Sequence, residues 1–189
     1  ANDLNGRKDG MSEAIQTVKT ANVGIEGIVS LLAQAKSLAQ SAMSAGSTDA
    51  SSFASAYGTV MDQINTMAAD SSYKGINLLK SGELTVQFAP TADASTLKLT
   101  GFGTTFAEFS VAGMAAAGTG LGWVNGTTVV TTAIQAAAAG LEEATATLRT
   151  EAKVMANNLS IITAREEFTA MMMNALNDGA AKLTEADMN

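Results

Sequence analysis

The run Leu148-Arg149-Thr150-Glu151-Ala152-Lys153-Val154-Met155-Ala156-Asn157-Asn158-Leu159-Ser160-Ile161-Ile162 decides the fold of this chain. Leu148, Met155 and Ile162 recur at every seventh residue, and Leu141 and Ile134 carry the series upstream. That spacing keeps one side of an α-helix apolar. Beyond Ile162 the stripe shifts to Phe168, Met172 and Leu176, the drift expected of a nearly straight helix. Gly179, after Asn177-Asp178, suits a left-handed C-cap. A helix over 128–178 spans roughly 75 Å at about 1.5 Å per residue. Such a rod is too long for a globular domain of 19.2 kDa and needs partners along its length.

The N-terminal half supplies them. Met11, Val18, Ile25, Leu32 and Ala39 form a second heptad series, and Ala14, Ala21, Ile28, Ala35 and Ala42 follow three positions later. The small residues of the second series let a neighbouring backbone approach closely. Gly24 and Gly27 each weaken the helix by up to about 1 kcal/mol relative to Ala. The first helix is expected over 1–46, with Gly46 as its left-handed cap. A second helix is expected over 49–70, capped by Thr48 or Asp49. Its apolar stripe is Phe53, Tyr57, Val60, Ile64 and Met67.

From Tyr73 the period changes. Leu84, Val86 and Phe88 alternate with Thr85 and Gln87, and Leu97 and Leu99 alternate with Lys98 and Thr100, as half-buried strands do. Residues 73–127 therefore read as a β-rich, variable region. Its 101–127 part, rich in Gly, Ala and Thr, reads only as short irregular strands or turns around Phe102, Phe106, Phe109 and Trp123. The expected order is two helices, the β region, the long helix over 128–178 and a tail over 179–189. The fold class is mainly α with a small β region, an elongated rod of long antiparallel helices bearing a hairpin cap.

Composition narrows the function. Apolar residues make up 47% of the 189, but only 5% are aromatic, which favours closely packed helices. A net charge of −7 gives no phosphate-neutralising surface, so no nucleic-acid partner is expected. With no His and no Cys, thiolate and imidazole metal sites, catalytic triads and disulfides are excluded. The pairs Glu142-Glu143 and Glu166-Glu167 are adjacent on a helix, so their carboxyls diverge and do not face each other across a cleft. Met171-Met172-Met173 reads as core filler and exposed thioether, not a cofactor box. Gly101-Phe102-Gly103 lacks the strand–helix setting of a phosphate loop. Residues Ser110 to Val130 are interrupted by Gly, Thr and Asn125, so no membrane span is expected. No enzyme activity and no cofactor are expected.

Three stretches carry a family resemblance. They are Ala35-Lys36-Ser37-Leu38-Ala39-Gln40-Ser41-Ala42; Met61-Asp62-Gln63-Ile64-Asn65-Thr66-Met67-Ala68 followed by Ser72-Tyr73-Lys74-Gly75-Ile76-Asn77-Leu78-Leu79; and the C-terminal run from Leu148 to Asn189. Together they resemble the bacterial flagellins, of the compact kind with a short middle region. Lys74 stands where the family usually has Asn. The resemblance implies a rod domain of two N-terminal helices, a β-hairpin region and one C-terminal helix. It further implies that the inner-tube segments found at both ends of complete flagellins are missing from this sequence, and that the fragment is monomeric in solution. Its implied role is that of a structural subunit, exported by the flagellar secretion apparatus and self-assembling outside the cell into a helical propeller. The implied partners are other flagellin subunits, a secretion chaperone and the cap and junction proteins. Small sliding shifts between neighbouring rods would then switch the supercoil. On this reading, subunit contacts are expected at Lys19, Asn22, Glu26, Asp62, Asn65, Arg149, Lys153 and Arg165. Some flagellin-like proteins carry a zinc-protease motif, which the absence of His rules out here.

Some flagellins engage an innate immune receptor through an Arg ahead of Glu-Leu-Ala in the first rod helix and a Glu in the second. The matching stretch here is Gln34-Ala35-Lys36-Ser37-Leu38-Ala39, and the second position falls near Ala56, so recognition is expected to be weak or absent. Two further readings are a hook–filament junction protein and a cell-surface flagellin homologue that binds polysaccharide. The latter would need Trp123 or the other aromatics as a sugar platform.

Overall fold

The structure, a computed structural model, describes residues 2–89, 95–102 and 118–189. It is built on three helices: α1 (Asn2–Met43, 42 residues), α2 (Ser47–Asp70, 24 residues) and α3 (Thr131–Met188, 58 residues). Between α2 and α3 lie two antiparallel pairs. In the first, β1 (Glu83–Gln87) faces β2 (Thr96–Thr100), with Leu84 opposite Leu99 and Val86 opposite Leu97. In the second, β3 (Val124–Asn125) faces β4 (Thr128–Val129). At about 1.5 Å per residue, α3 runs roughly 87 Å.

Both heptad series of α1 are buried throughout: Met11, Val18, Ile25, Leu32 and Ala39, with Ala14, Ala21, Ile28, Ala35 and Ala42 beside them. A helix needs two apolar faces only when it is packed on two sides, and α1 lies against both α2 and α3. Along α3 the buried positions are Ile134, Leu141, Leu148, Met155 and Ile162, as the periodicity requires. α1 and α3 run antiparallel in an unbroken register. Ser12 meets Glu166 and Lys36 meets Glu142, so equal steps along the two helices join the contacts. Gly24 sets the approach of α1 to the far end of α2. A Cβ there would stand 2.2 Å from Ser71 Oγ and 2.6 Å from Leu79 Cδ1.

Several boundaries differ from those read in the sequence. The first helix stops at Met43, not 46. Gly46 is extended (φ −71°, ψ 167°) and begins α2, which starts at Ser47, so neither Thr48 nor Asp49 caps it. The buried stripe of α2 is Ala50, Tyr57, Met61, Ile64 and Ala68, whereas Phe53, Val60 and Met67 are half-buried on its flanks. The long helix begins at Thr131 because Thr128 and Val129 pair with β3. It continues through Gly179, so the segment expected as a tail is helical to Met188. One glycine costs a helix interior about 1 kcal/mol, and the good helix formers Ala180, Ala181, Lys182, Leu183 and Glu185 on its far side offset that. Phe106 and Phe109 lie outside the described residues.

The end of α2 is closed by the turn that follows. Asn77 Nδ2 donates to the carbonyls of Ala68 (2.7 Å) and Ala69 (3.2 Å), and its Oδ1 accepts from the Leu79 amide at 2.9 Å. These bonds satisfy carbonyls that the last helical turn leaves open. Tyr73 and Ile76 exchange backbone hydrogen bonds of 2.9 and 3.0 Å around Lys74 (φ 48°) and Gly75 (φ 81°). Two consecutive left-handed residues make this a type I′ turn, which suits Gly and Asn and penalises Lys.

Candidate functional site: the surface of the rod

α1 and α3 are held edge to edge by polar contacts at the margins of their apolar seam. The Lys36 ammonium lies 2.5 Å from the Glu142 carboxylate, and the hydrogen bond holds that carboxyl below the ordinary carboxylate range. Ser12 Oγ donates to Glu166 at 2.5 Å. Glu13 pairs with Lys74, tying the type I′ turn to α1 and raising the lysine above its usual range through the shared hydrogen bond. Lys98 and Glu83 pair at 3.2 Å across β1 and β2. All of these pairs are exposed, so each contributes little to stability.

The residues expected to contact other subunits fall into three groups. Lys19, Glu26, Asp62, Arg149 and Lys153 are exposed and have no ion-pair partner among the described residues. Asn22 and Asn65 are half-buried, and each has a buried Oδ1 with no hydrogen-bond partner. Arg165 is engaged within its own chain. Its guanidinium lies 4.8 Å from the Phe88 ring centroid and 5.6 Å from that of Phe168, and it donates to Ser95 Oγ at 3.0 Å. That sandwich clamps the β1–β2 pair onto α3. Lys19 also borders an open groove of about 450 Å3 with Val23, Met67 and Asp70, where α1 meets the end of α2. Arg149 borders another, of about 300 Å3, beside the Lys36–Glu142 pair.

The structure adds a surface that sequence reading assigned to the core. The shifted stripe of α3 is not covered: Phe168 is 48% exposed, Met172 42% and Leu176 51%. Met171, Leu183 and Met188 are exposed as well. α1 has no buried residue before Met11 and α3 has none after Thr169, so the shared seam ends there while the apolar pattern continues. The only sequence signal for this was the break in the heptad after Ile162. Trp123 goes the other way. It is 2% exposed and tilted against Tyr57, with ring centroids 4.5 Å apart, so it is not presented as a sugar platform. Burial also pushes the Tyr57 hydroxyl well above the usual phenol range. No described helix is long and apolar enough to cross a membrane.

No family model and no curated relative matches the sequence. Solved structures do match the fold. The crystal structure of Bacillus cereus flagellin superposes with a TM-score of 0.67, covering 89% of this chain and 94% of that one at 17% identity. The likeness is thus one of fold, between two sequences that differ at most positions. This chain has a flagellin-like fold, mainly α-helical and elongated.

Proposed function

We propose that the chain is a structural subunit of a bacterial flagellar filament, assembling with other copies of itself outside the cell. The observation that carries this reading is the fold match to a flagellin, covering 89% of this chain and 94% of that one. The surface supports it. A rod whose ends and flanks retain an apolar stripe, two open grooves and unpaired charges has the features of a molecule completed by neighbours. In this reading the Phe168–Met172–Leu176 stripe is the main contact, and Lys19, Glu26, Asp62, Arg149 and Lys153 fix the register of lateral packing. Asn22 and Asn65, half-buried on α1 and α2, are assigned to the same contacts. Export through the flagellar secretion apparatus, a secretion chaperone, and cap and junction proteins belong to this proposal.

Immunogold electron microscopy of the source cells, with antibody raised against this chain, tests it. Gold along the length of the filaments is the expected result. A single cluster at the filament base would replace it with the junction reading. Label confined to the cell envelope would reject both.

A further inference from the structure

The β3–β4 hairpin is small, and its tip stands clear of the helices. Two pairs hold it, Val124 with Val129 and Asn125 with Thr128, and just behind them the Val130 amide donates to the Trp123 carbonyl at 2.8 Å. Trp123 anchors the base of the hairpin by packing against Tyr57 of α2. Beyond that anchor Asn125, Gly126, Thr127 and Thr128 are all exposed, and a Cβ at Gly126 would meet nothing within 4 Å. Gly126 has a positive φ of 62° and Thr127 does not, the pattern of a type II′ turn. In a two-residue turn the amide of the first central residue takes no part in the ladder, so the Gly126 nitrogen lies outside it, next to the Asn125 side chain. The sequence holds one other Asn-Gly pair, Asn5-Gly6. These two residues are exposed as well, but they lie within α1, where each amide is committed to the carbonyl four residues back.

We propose that the tip of this hairpin is a site of spontaneous covalent modification, at which Asn125 loses its side-chain amide, while the identical dipeptide in α1 is protected by its helix. The Gly126 nitrogen, on losing its proton, attacks Cγ of Asn125. A C–N bond forms, the Cγ–Nδ2 bond breaks, and Nδ2 takes up a proton and leaves as ammonia. Water then opens the five-membered imide at either carbonyl, which leaves aspartate or isoaspartate at position 125. The nitrogen can reach Cγ because glycine has no Cβ to obstruct the approach. The backbone of the asparagine must also rotate. At the hairpin tip that rotation releases one ladder pair, with Trp123 still anchored, whereas in α1 it breaks several consecutive helical bonds. Both products add a negative charge to the tip. Isoaspartate also adds a methylene to the main chain, so the two-residue turn cannot close as before. The proposal does not rest on the filament reading.

The test is a timed incubation of the full chain in mildly alkaline buffer at physiological temperature, followed by peptide mapping by mass spectrometry. Labelling by an isoaspartate-specific carboxyl methyltransferase separates the two products. Conversion at Asn125 should run at least about ten-fold faster than at Asn5, the difference between opening a helix and opening one ladder pair. In guanidinium chloride the two sites should convert at similar rates, because unfolding removes the protection of α1. Equal rates in the folded chain would overturn the proposal. So would an Asn125 that stays intact after the blocked peptide acetyl-Val-Asn-Gly-Thr-amide has converted under the same conditions, since the hairpin would then be protective. A preference for Asn125 that persists undiminished in guanidinium chloride would assign the selectivity to neighbouring residues and overturn it too.

Discussion

At the scale of single residues, Lys74 and Arg165 show two ways in which one side chain fixes the β region to the helices. Lys74 adopts a left-handed backbone that a lysine rarely takes, and its ion pair with Glu13 holds the turn against α1. Because that pair is exposed, relieving the backbone should outweigh losing it. Lys74→Asn is therefore expected to raise the midpoint of urea denaturation, and a lower midpoint would mean that the pair matters more than the backbone. Arg165 stacks between Phe88 and Phe168. Arg165→Ala should cost about 1–2 kcal/mol by chemical denaturation, the value of a partly desolvated cation–π sandwich and its packed stem. A change within the error of the measurement would show that the clamp is not stabilising. Neither role was visible in the sequence. Lys74 stood out only as a departure from the usual Asn. Arg165 looked like a free surface charge, because Phe88 and Ser95 lie far away along the chain and only Phe168 is near it in sequence.

At the scale of elements, the heptads of α1 and α3 were fully legible, and the structure buries each of their positions. The boundaries were less so. Gly179 and Gly46 are the residues that usually mark caps, yet one lies inside a helix and the other is extended. Flanking helix formers carry the helix through Gly179, and the pairing of Thr128 and Val129 sets the start of α3; a single-residue signal cannot weigh such context. The α1–α2 interface gives a direct test. Gly24→Val should destabilise by about 1–3 kcal/mol, because its side chain meets Ser71 and Leu79 in a closed space. A neutral or stabilising result would show that the two helices separate freely there. The polar margins respond to pH in opposite senses. The Glu142 carboxyl is held below its ordinary range, so its contribution is present at neutrality and is lost as the pH falls through the acid range. Lys74 is raised, so its contribution is full below the ordinary lysine range and is lost as the pH climbs above it. Lys36→Met should shallow the acid limb of a stability–pH profile and leave the alkaline limb in place. An unchanged acid limb would assign it to other carboxylates.

At the scale of the whole molecule, the seam between α1 and α3 is shorter than the apolar pattern of α3. The remainder, at Phe168, Met172 and Leu176, stands about half-exposed. Replacing Met172 and Leu176 together by Ser should change monomer stability by no more than about 0.5 kcal/mol per site, as for exposed positions. If the stripe is the assembly contact proposed above, the same double change in a filament-forming protein that carries this rod should abolish polymerisation, read by sedimentation and electron microscopy. Filaments of normal length from that variant would remove the stripe from the assembly contact. Weak or absent activation of an innate immune receptor is also expected at this scale, because the stretch Gln34 to Ala39 offers no Arg ahead of a Glu-Leu-Ala and Ala56 carries no charge. A strong reporter response from a full-length filament protein would contradict it.

The sequence by itself determined that three long helices would pack through heptad seams around a small β region. Periodicity is a local property of the chain, readable before it is known which segments meet. Only the tertiary structure decided where the seam stops, that Lys74 is paired with Glu13, and that Arg165 is engaged by Phe88 and Phe168. Those facts depend on the register between segments distant in the chain. Register is set by the sum of many contacts across the interface, and no single stretch of residues records it.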